Sequence, residues 1–183
     1  ERVMPSDLPA VEIERVKAKN TRMLELFGLQ NGISQSEYIY VDGELYFIET
    51  CARCGGMFVG ADLTSVSSGV DTADFIIKSA MGEQAELPVE RETGKVCAYL
   101  AFYLPFGTEG LEEVKNLPYV RTGVLEPIEV GMQTKPIVDK TARYCVVIEA
   151  SSRSEYEAKK AEVKHLLNVT VKTSDGVRGP IWD

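Results

Sequence analysis

The sequence predicts an α/β (α+β) chain in two units, the first of helices and antiparallel strands, the second mostly strands. Three observations lead there. Apolar residues recur at helical spacing after Pro9 and again after Asp71. Two apolar runs of strand character flank Asp42-Gly43. A charged stretch containing Pro88 and Gly94 then separates these from further strand-like runs.

Taken in order, Ile13, Val16, Leu24 and Phe27 give the first helix one buried face, and Gly28 stands where a left-handed C-cap is needed. Asn31-Gly32 makes a turn, and Ile33 to Val41 with Leu45 to Cys51 form a hairpin around Asp42-Gly43. Gly55-Gly56 interrupts the run that follows. Ala73, Ile76, Ile77 and Ala80 place a second helix over Asp71 to Met81, with Gly82 at its end. The junction falls within Glu83 to Lys95, dividing residues 1–85 from 86–183. Beyond it Val96 to Leu104, Gly123 to Val130 and Tyr144 to Ala150 read as strands, with a short helix around Leu111 to Lys115. Ser152 to Leu167 is a charged amphipathic helix, and Val169 to Val171 returns as a strand.

The 28 acidic against 20 basic side chains give a net charge of -8, which argues against a nucleic-acid backbone or an anionic membrane as the main partner. No apolar run reaches the roughly 20 residues that cross a bilayer, and no signal segment opens the chain. Four cysteines, Cys51, Cys54, Cys97 and Cys145, are too few for a disulfide scaffold and suit free thiols in the cytoplasm. The sole histidine, His165, sits beside Leu166 and Leu167 and reads as a packed or surface residue, which sets aside a Ser-His-Asp site. Cys51-Ala52-Arg53-Cys54 has the spacing of a redox pair or half a zinc site, but lacks a second metal-spaced pair; two inert thiols are the simpler reading.

The candidate site is a pair of carboxylates. Glu37 and Glu49 stand in opposite strands of the hairpin among Ile39, Val41, Phe47 and Ile48. A carboxylate buried there needs a cation, a base or a strand end reaching solvent. The alternative is two solvated residues on an edge hairpin. Side chains alternate along a strand, so a loop with an odd number of residues puts both on one face and a two-residue turn puts them on opposite faces. Asp42-Gly43 suits either the two-residue type I′ turn or a three-residue loop. Joint binding of one ion demands the odd loop. Two convergent carboxylates supply the hard oxygens that magnesium prefers, at ~2.0–2.1 Å and alongside retained waters.

The run from Ser36 to Gly56 resembles the metal-binding hairpin of the ATP-grasp superfamily. That pattern is a Glu in one strand, a short acidic-Gly turn, and an apolar strand ending in Glu-x-Asn-x-Arg with glycines after it. The likeness extends to Leu24 to Gly32, to Ser68-Gly69-Val70-Asp71, and to Lys135-Pro136-Ile137-Val138-Asp139 through the Ser152 to Leu167 helix. It implies that residues 1–85 are the C-terminal half of an ATP-grasp domain and that 86–183 form a small strand-rich domain associated with it. ATP and Mg2+ are then the cofactors. Glu37 and Glu49 would bind the magnesium that bridges the ATP phosphates, Arg53 would be catalytic and face a phosphate or the substrate carboxylate, and Gly55 and Gly56 would line the substrate.

Such enzymes convert a carboxylate to an acyl phosphate that an amine, or a thiol, then displaces; small-molecule carboxylates and amines are the implied partners, with a homodimer left open. Biotin carboxylases carry Arg-x-Gln-x-Glu-His after the metal strand. Arg53-Cys54-Gly55-Gly56 favours the amino-acid ligase branch instead. Cys51 replaces the family's Asn, and a thiol is a poor magnesium ligand. The chain opens on Glu1 rather than Met, and the family's adenine pocket, hinge and Gly-rich lid have no room before Glu37. The expectation is therefore a piece of a ligase, inactive alone and active in its parent. A catalytically silent binding or assembly module that keeps the fold is the alternative.

Overall fold

The computed structural model describes residues 1–29, 32–83, 89, 91–103, 117–122, 143–167, 171–173 and 176–182. The chain is mixed α/β, and every strand pairing among the described residues is antiparallel. It divides into two compact units: Ser6–Ser65 with Gly69–Arg91, and Glu1–Pro5 with Val66–Ser68 and Glu92–Asp183. Residues 85 and 86, where the sequence places the junction, lie outside the described residues.

The first unit holds helix α1 (Ala10–Leu26), strands β2 (Gln35–Val41) and β3 (Glu44–Cys51), a π-helical turn (Val59–Thr64) and helix α3 (Thr72–Ala80). In α1, Glu12, Ile13, Val16, Asn20, Met23 and Leu24 are half-buried while their neighbours are exposed. Their spacing traces one helical face. No residue of α1 is fully buried, and Phe27 is exposed, contrary to its expected place inside. The stripe explains both: it carries polar Glu12 and Asn20 and rests on an open hairpin, and Phe27 lies beyond the last turn. Gly28, with φ of +72°, adopts the left-handed conformation that ends the helix.

Helix and hairpin are joined by side chains. The Tyr38 hydroxyl donates to Asn20 Oδ1 at 3.0 Å, and Lys19 Nζ donates to the Leu45 carbonyl at 3.4 Å. Arg15 donates to the Gly43 carbonyl and pairs with Glu44 at 3.4 Å. Phe47 meets the rings of Tyr38 at 5.7 Å and Phe27 at 6.3 Å. Of the hairpin, only Leu45 is buried.

The second unit is built on a five-stranded sheet of β1 (Arg2–Met4), β4 (Val96–Tyr103), β6 (Arg143–Ala150), β5 (Val120–Thr122) and β9 (Ile181–Trp182). One edge of β4 pairs with β6 along its whole length; the other is shared, Cys97–Tyr99 with β1 and Phe102–Tyr103 with β9. Helix α4 (Arg153–Leu166) covers one sheet face. Val96, Ala98, Leu100 and Phe102 of β4 and Tyr144, Val146, Ile148 and Ala150 of β6 form one core with Tyr156, Val163 and Leu167. Every second residue of each strand contributes, as the pleat requires. Cys97 and Cys145 are buried and form no disulfide. A short helix α2 (Ser65–Ser68) and a small hairpin of β7 (Val171–Thr173) and β8 (Gly176–Arg178) complete the elements.

The expected strand over Gly123 to Val130, the helix around Leu111 to Lys115 and the Lys135 to Asp139 run lie outside the described residues. Among the described residues no helix is long and apolar enough to cross a membrane.

Candidate functional site

The site is set by the register of β2 and β3. Asp42 and Gly43 have φ of +51° and +77°, and Val41 pairs with Glu44. This is a two-residue turn with both central residues left-handed, the type I′ form whose twist suits a hairpin. An Asp tolerates that conformation and a Gly adopts it freely. By itself the turn would pair Glu37 with Ile48 and send Glu49 to the other face. A β-bulge between Glu37 and Tyr38 shifts the register: Tyr38 pairs with Phe47, Glu37 with Glu49, and Ile48 is the extra residue. The sequence-based requirement for an odd loop is thus corrected. The odd residue lies in the strand and not in the turn.

Directly opposed residues of an antiparallel pair share a face, so Glu37 and Glu49 stand side by side. Gln35, two residues before Glu37, joins them on that face, and its Nε2 donates to Glu37 Oε1 at 3.3 Å. Both glutamates are exposed. They are not buried charges in need of a partner but reach solvent, the alternative the sequence left open: Ile39 and Tyr46 beside them are 54% and 56% exposed, and Val41 and Ile48 are exposed as well. Ile39 and Val41, which looked interior, share the open face with Glu37, and Phe47, although it meets Tyr38 and Phe27, is still 44% exposed. Flanking tyrosines on the covered side are held neutral to higher pH, Tyr38 by burial and Tyr40 by desolvation and the nearby Glu12 carboxylate.

After Cys51, paired with Gln35, the chain bends through Arg53 and leaves the hairpin. Arg53 is exposed, and its guanidinium donates to the Cys54 carbonyl at 2.9 Å. It meets no carboxylate among the described residues. A Cβ on Gly55 would come within 2.9 Å of Val59 and 3.2 Å of Gln35 Oε1, so glycine is needed there for close packing. At Gly56 a Cβ would meet nothing. Met57 and Phe58 follow with φ of +51° and +66°, left-handed conformations that cost a side-chain-bearing residue about 1–2 kcal/mol each. They deliver the chain into the π-helical turn, a form often found at functional sites.

Glu37, Glu49 and Gln35 are thus brought to one hairpin face, and Gln35 also reaches Gly55. Sequence reasoning passed over Gln35, although its two-residue spacing from Glu37 marks it as sharing that face. It also missed the left-handed pair at Met57 and Phe58, for which no local residue type gives a signal. Among the described residues no three His, Cys, Asp or Glu side chains gather as a metal cluster. Two opposed, solvent-accessible carboxylates do fit magnesium, a hard ion that keeps several waters and takes only one or two carboxylates when it also binds phosphates. Cys51 is too soft to add a ligand.

No family model matches the chain, and no curated protein matches it by sequence. Solved structures do match. An L-amino acid ligase from Bacillus licheniformis superposes with a TM-score of 0.77 at 22% identity, over 93% of this chain and 44% of that one. A phosphoribosylglycinamide synthetase from Anaerococcus prevotii gives 0.71 at 16% identity, over 93% and 44%. A carboxyaminoimidazole ribonucleotide synthase from Aspergillus clavatus, complexed with ATP, gives 0.59 at 10% identity, over 90% and 42%. The chain spans less than half the length of each of these structures. Over that length, its fold is the one shared by these three structures.

Proposed function

We propose that this chain supplies the phosphate-facing and substrate-facing part of an ATP-dependent ligase that joins a small carboxylate to an amine. In this reading residues 1–85 are the C-terminal half of the ATP-grasp domain and 86–183 a domain associated with it. The carrying observation is the pairing of Glu37 with Glu49 on the open face of the hairpin. The ligase fold of the solved neighbours supports it. Four cysteines without a disulfide fit a place in the cytoplasm.

The chemistry follows from these groups. Glu37 and Glu49 hold magnesium, which when bound offsets the negative charge of the ATP phosphates and of the transferring phosphoryl group. Gln35 fixes the orientation of Glu37 through its hydrogen bond. Arg53, unpaired with any carboxylate among the described residues, binds the substrate carboxylate in the charge-assisted manner that its planar fork allows. A carboxylate oxygen attacks the γ-phosphorus as the bond to ADP breaks, giving an acyl phosphate. The amine then attacks the acyl carbon, phosphate departs, and the amine proton passes to water. The amino-acid ligase branch is favoured by the Arg53 to Gly56 run.

The test is ATP consumption by the whole protein with magnesium and a panel of amino acids. Turnover that is lost in Glu37→Ala and in Glu49→Ala is the expected result. A whole protein that consumes no ATP under these conditions would leave the silent-module reading in its place.

A further inference from the structure

Arg53 is held by the chain that follows it, and that chain is clamped at Gly60. The Arg53 guanidinium donates to the Cys54 carbonyl at 2.9 Å. The Cys54 thiol lies directly over the Gly60 α-carbon: a Cβ there would overlap Cys54 Sγ and come within 3.4 Å of Cys54 Cβ. Gly60 is itself buried in the π-helical turn, and its carbonyl accepts a hydrogen bond from Thr72 Oγ1 at 2.7 Å. Thr72, the first residue of α3, is 8% exposed. The neighbouring Val59 carbonyl is likewise held by Thr64 Oγ1 at 2.8 Å.

We infer that Cys54 and Thr72 are positioning residues that act through Gly60 to fix the place of Arg53, and so set how the substrate carboxylate is bound. The inference rests on the proposed role of Arg53. The geometry needs each part. With the thiol in this rotamer only glycine leaves room for it, and the thiol is a compact, soft side chain that fills a narrow gap without demanding a hydrogen-bond partner. Thr72 holds the far side of Gly60, where an unmade hydrogen bond in a buried place would loosen the turn. Proximal Met57 and Phe58 stand in left-handed conformations that a slack turn would relax. A shift at Gly60 is therefore passed to Cys54 and to the carbonyl that seats the guanidinium. In this account Cys54 is a packing element, and the Cys51-x-x-Cys54 spacing has no redox role.

The experiment compares variants of the whole protein by the KM for the carboxylate substrate and by kcat, using the amino acid that turns over best. Gly60→Ala raises KM about tenfold with a smaller change in kcat, as expected for lost substrate binding. Gly60→Ala/Cys54→Ala, which removes the overlapping sulfur, returns KM to within about twofold of Cys54→Ala alone. Thr72→Val raises KM and Thr72→Ser does not. In an Arg53→Ala background Gly60→Ala adds nothing to KM, which separates positioning from a general loss of structure. An active wild type whose KM is unmoved by both Gly60→Ala and Thr72→Val overturns the inference and leaves the ligase reading intact. So does a folded double variant no better than Gly60→Ala. If Gly60→Ala does not fold, the Thr72 pair decides. A wild type that consumes no ATP overturns both.

Discussion

Glu37 and Glu49 are directly paired across β2 and β3, and Ile48 is the unpaired residue that makes this so. A regular ladder running from the Asp42-Gly43 turn would have matched Glu37 to Ile48. The consequence is a test of register that changes no charge. Exchanging the two residues, Ile48→Glu with Glu49→Ile, moves the carboxylate onto the bulged position and away from Glu37. ATP turnover by the whole protein should fall by about 10²-fold or more, the scale of losing a charge-stabilising group. Deleting Ile48 instead places Glu49 opposite Glu37 in an unbulged ladder and should retain most of the magnesium dependence. Equal activity in the exchanged variant and the wild type would show that the pairing is idle.

Tyr38 ties the same hairpin to α1. Its hydroxyl donates to Asn20 Oδ1 at 3.0 Å in a half-buried setting, with Met23 Sδ at 3.5 Å. Tyr38→Phe should lower stability by about 1 kcal/mol, the usual net value of such a bond. Asn20→Ala should cost at least as much, because it leaves the hydroxyl without that acceptor. Urea denaturation of both single variants and the double variant gives the coupling, expected at about 0.5–1 kcal/mol for residues in contact. Additive losses would show that the bond contributes nothing.

Asp71 caps α3 by accepting from the Asp74 amide at 3.0 Å. Asp71→Ala should cost about 1 kcal/mol, while Asp71→Ser retains most of the stability because a hydroxyl can also accept that bond. The difference between the two variants in thermal unfolding is the measurement, and identical losses would argue that charge, not capping, is at work.

The helices and the hairpin were legible because each carries its own signal. Asp71 and Gly82 bracket α3, Gly28 ends α1, and Asp42-Gly43 marks the turn. The bulge at Ile48 carries none. It accompanies the edge-on contact of Phe47 with Tyr38 and its tilted contact with Phe27, contacts made with another strand and another element. Strands β1 and β9 are three and two residues long, and they exist as strands only because β4 offers an edge divided between them. Nothing in so short a run shows periodicity. The two glutamates could be named from the sequence, but whether they shared a face could not, since one extra residue anywhere between them reverses the answer. Their supposed burial was misread for a related reason. An apolar run shows that a strand has a face to cover, not which residues cover it.

The start of α4 gives a prediction in pH. Ser152 Oγ accepts from the Glu155 amide at 3.2 Å, and Glu155 in turn accepts from the Ser151 amide at 2.7 Å and from the Ser151 hydroxyl. This is close to a capping box. Lys159 pairs with the same carboxylate at 2.7 Å, one turn along. The Lys159 hydrogen bond first, then those from Ser151, bring the Glu155 pKa down from 4.5 to about 2. A carboxyl whose pKa is lower folded than unfolded stabilises the fold above its unfolded value, and that contribution disappears as pH falls through the folded one. Wild-type stability should therefore carry a component that declines between pH 4.5 and about 2, while Glu155→Gln lacks it. At pH 7 the variant is the less stable, and the gap between the two narrows as the pH is lowered through that window. Ser152→Ala should lose about 1 kcal/mol at every pH, because its hydroxyl does not titrate. The glutamate side chain is 39% accessible, so added salt should shrink the Glu155→Gln gap. Urea midpoints measured across the acid range decide it: parallel curves for wild type and Glu155→Gln would mean that the carboxylate is no better held in the folded chain than in the unfolded one.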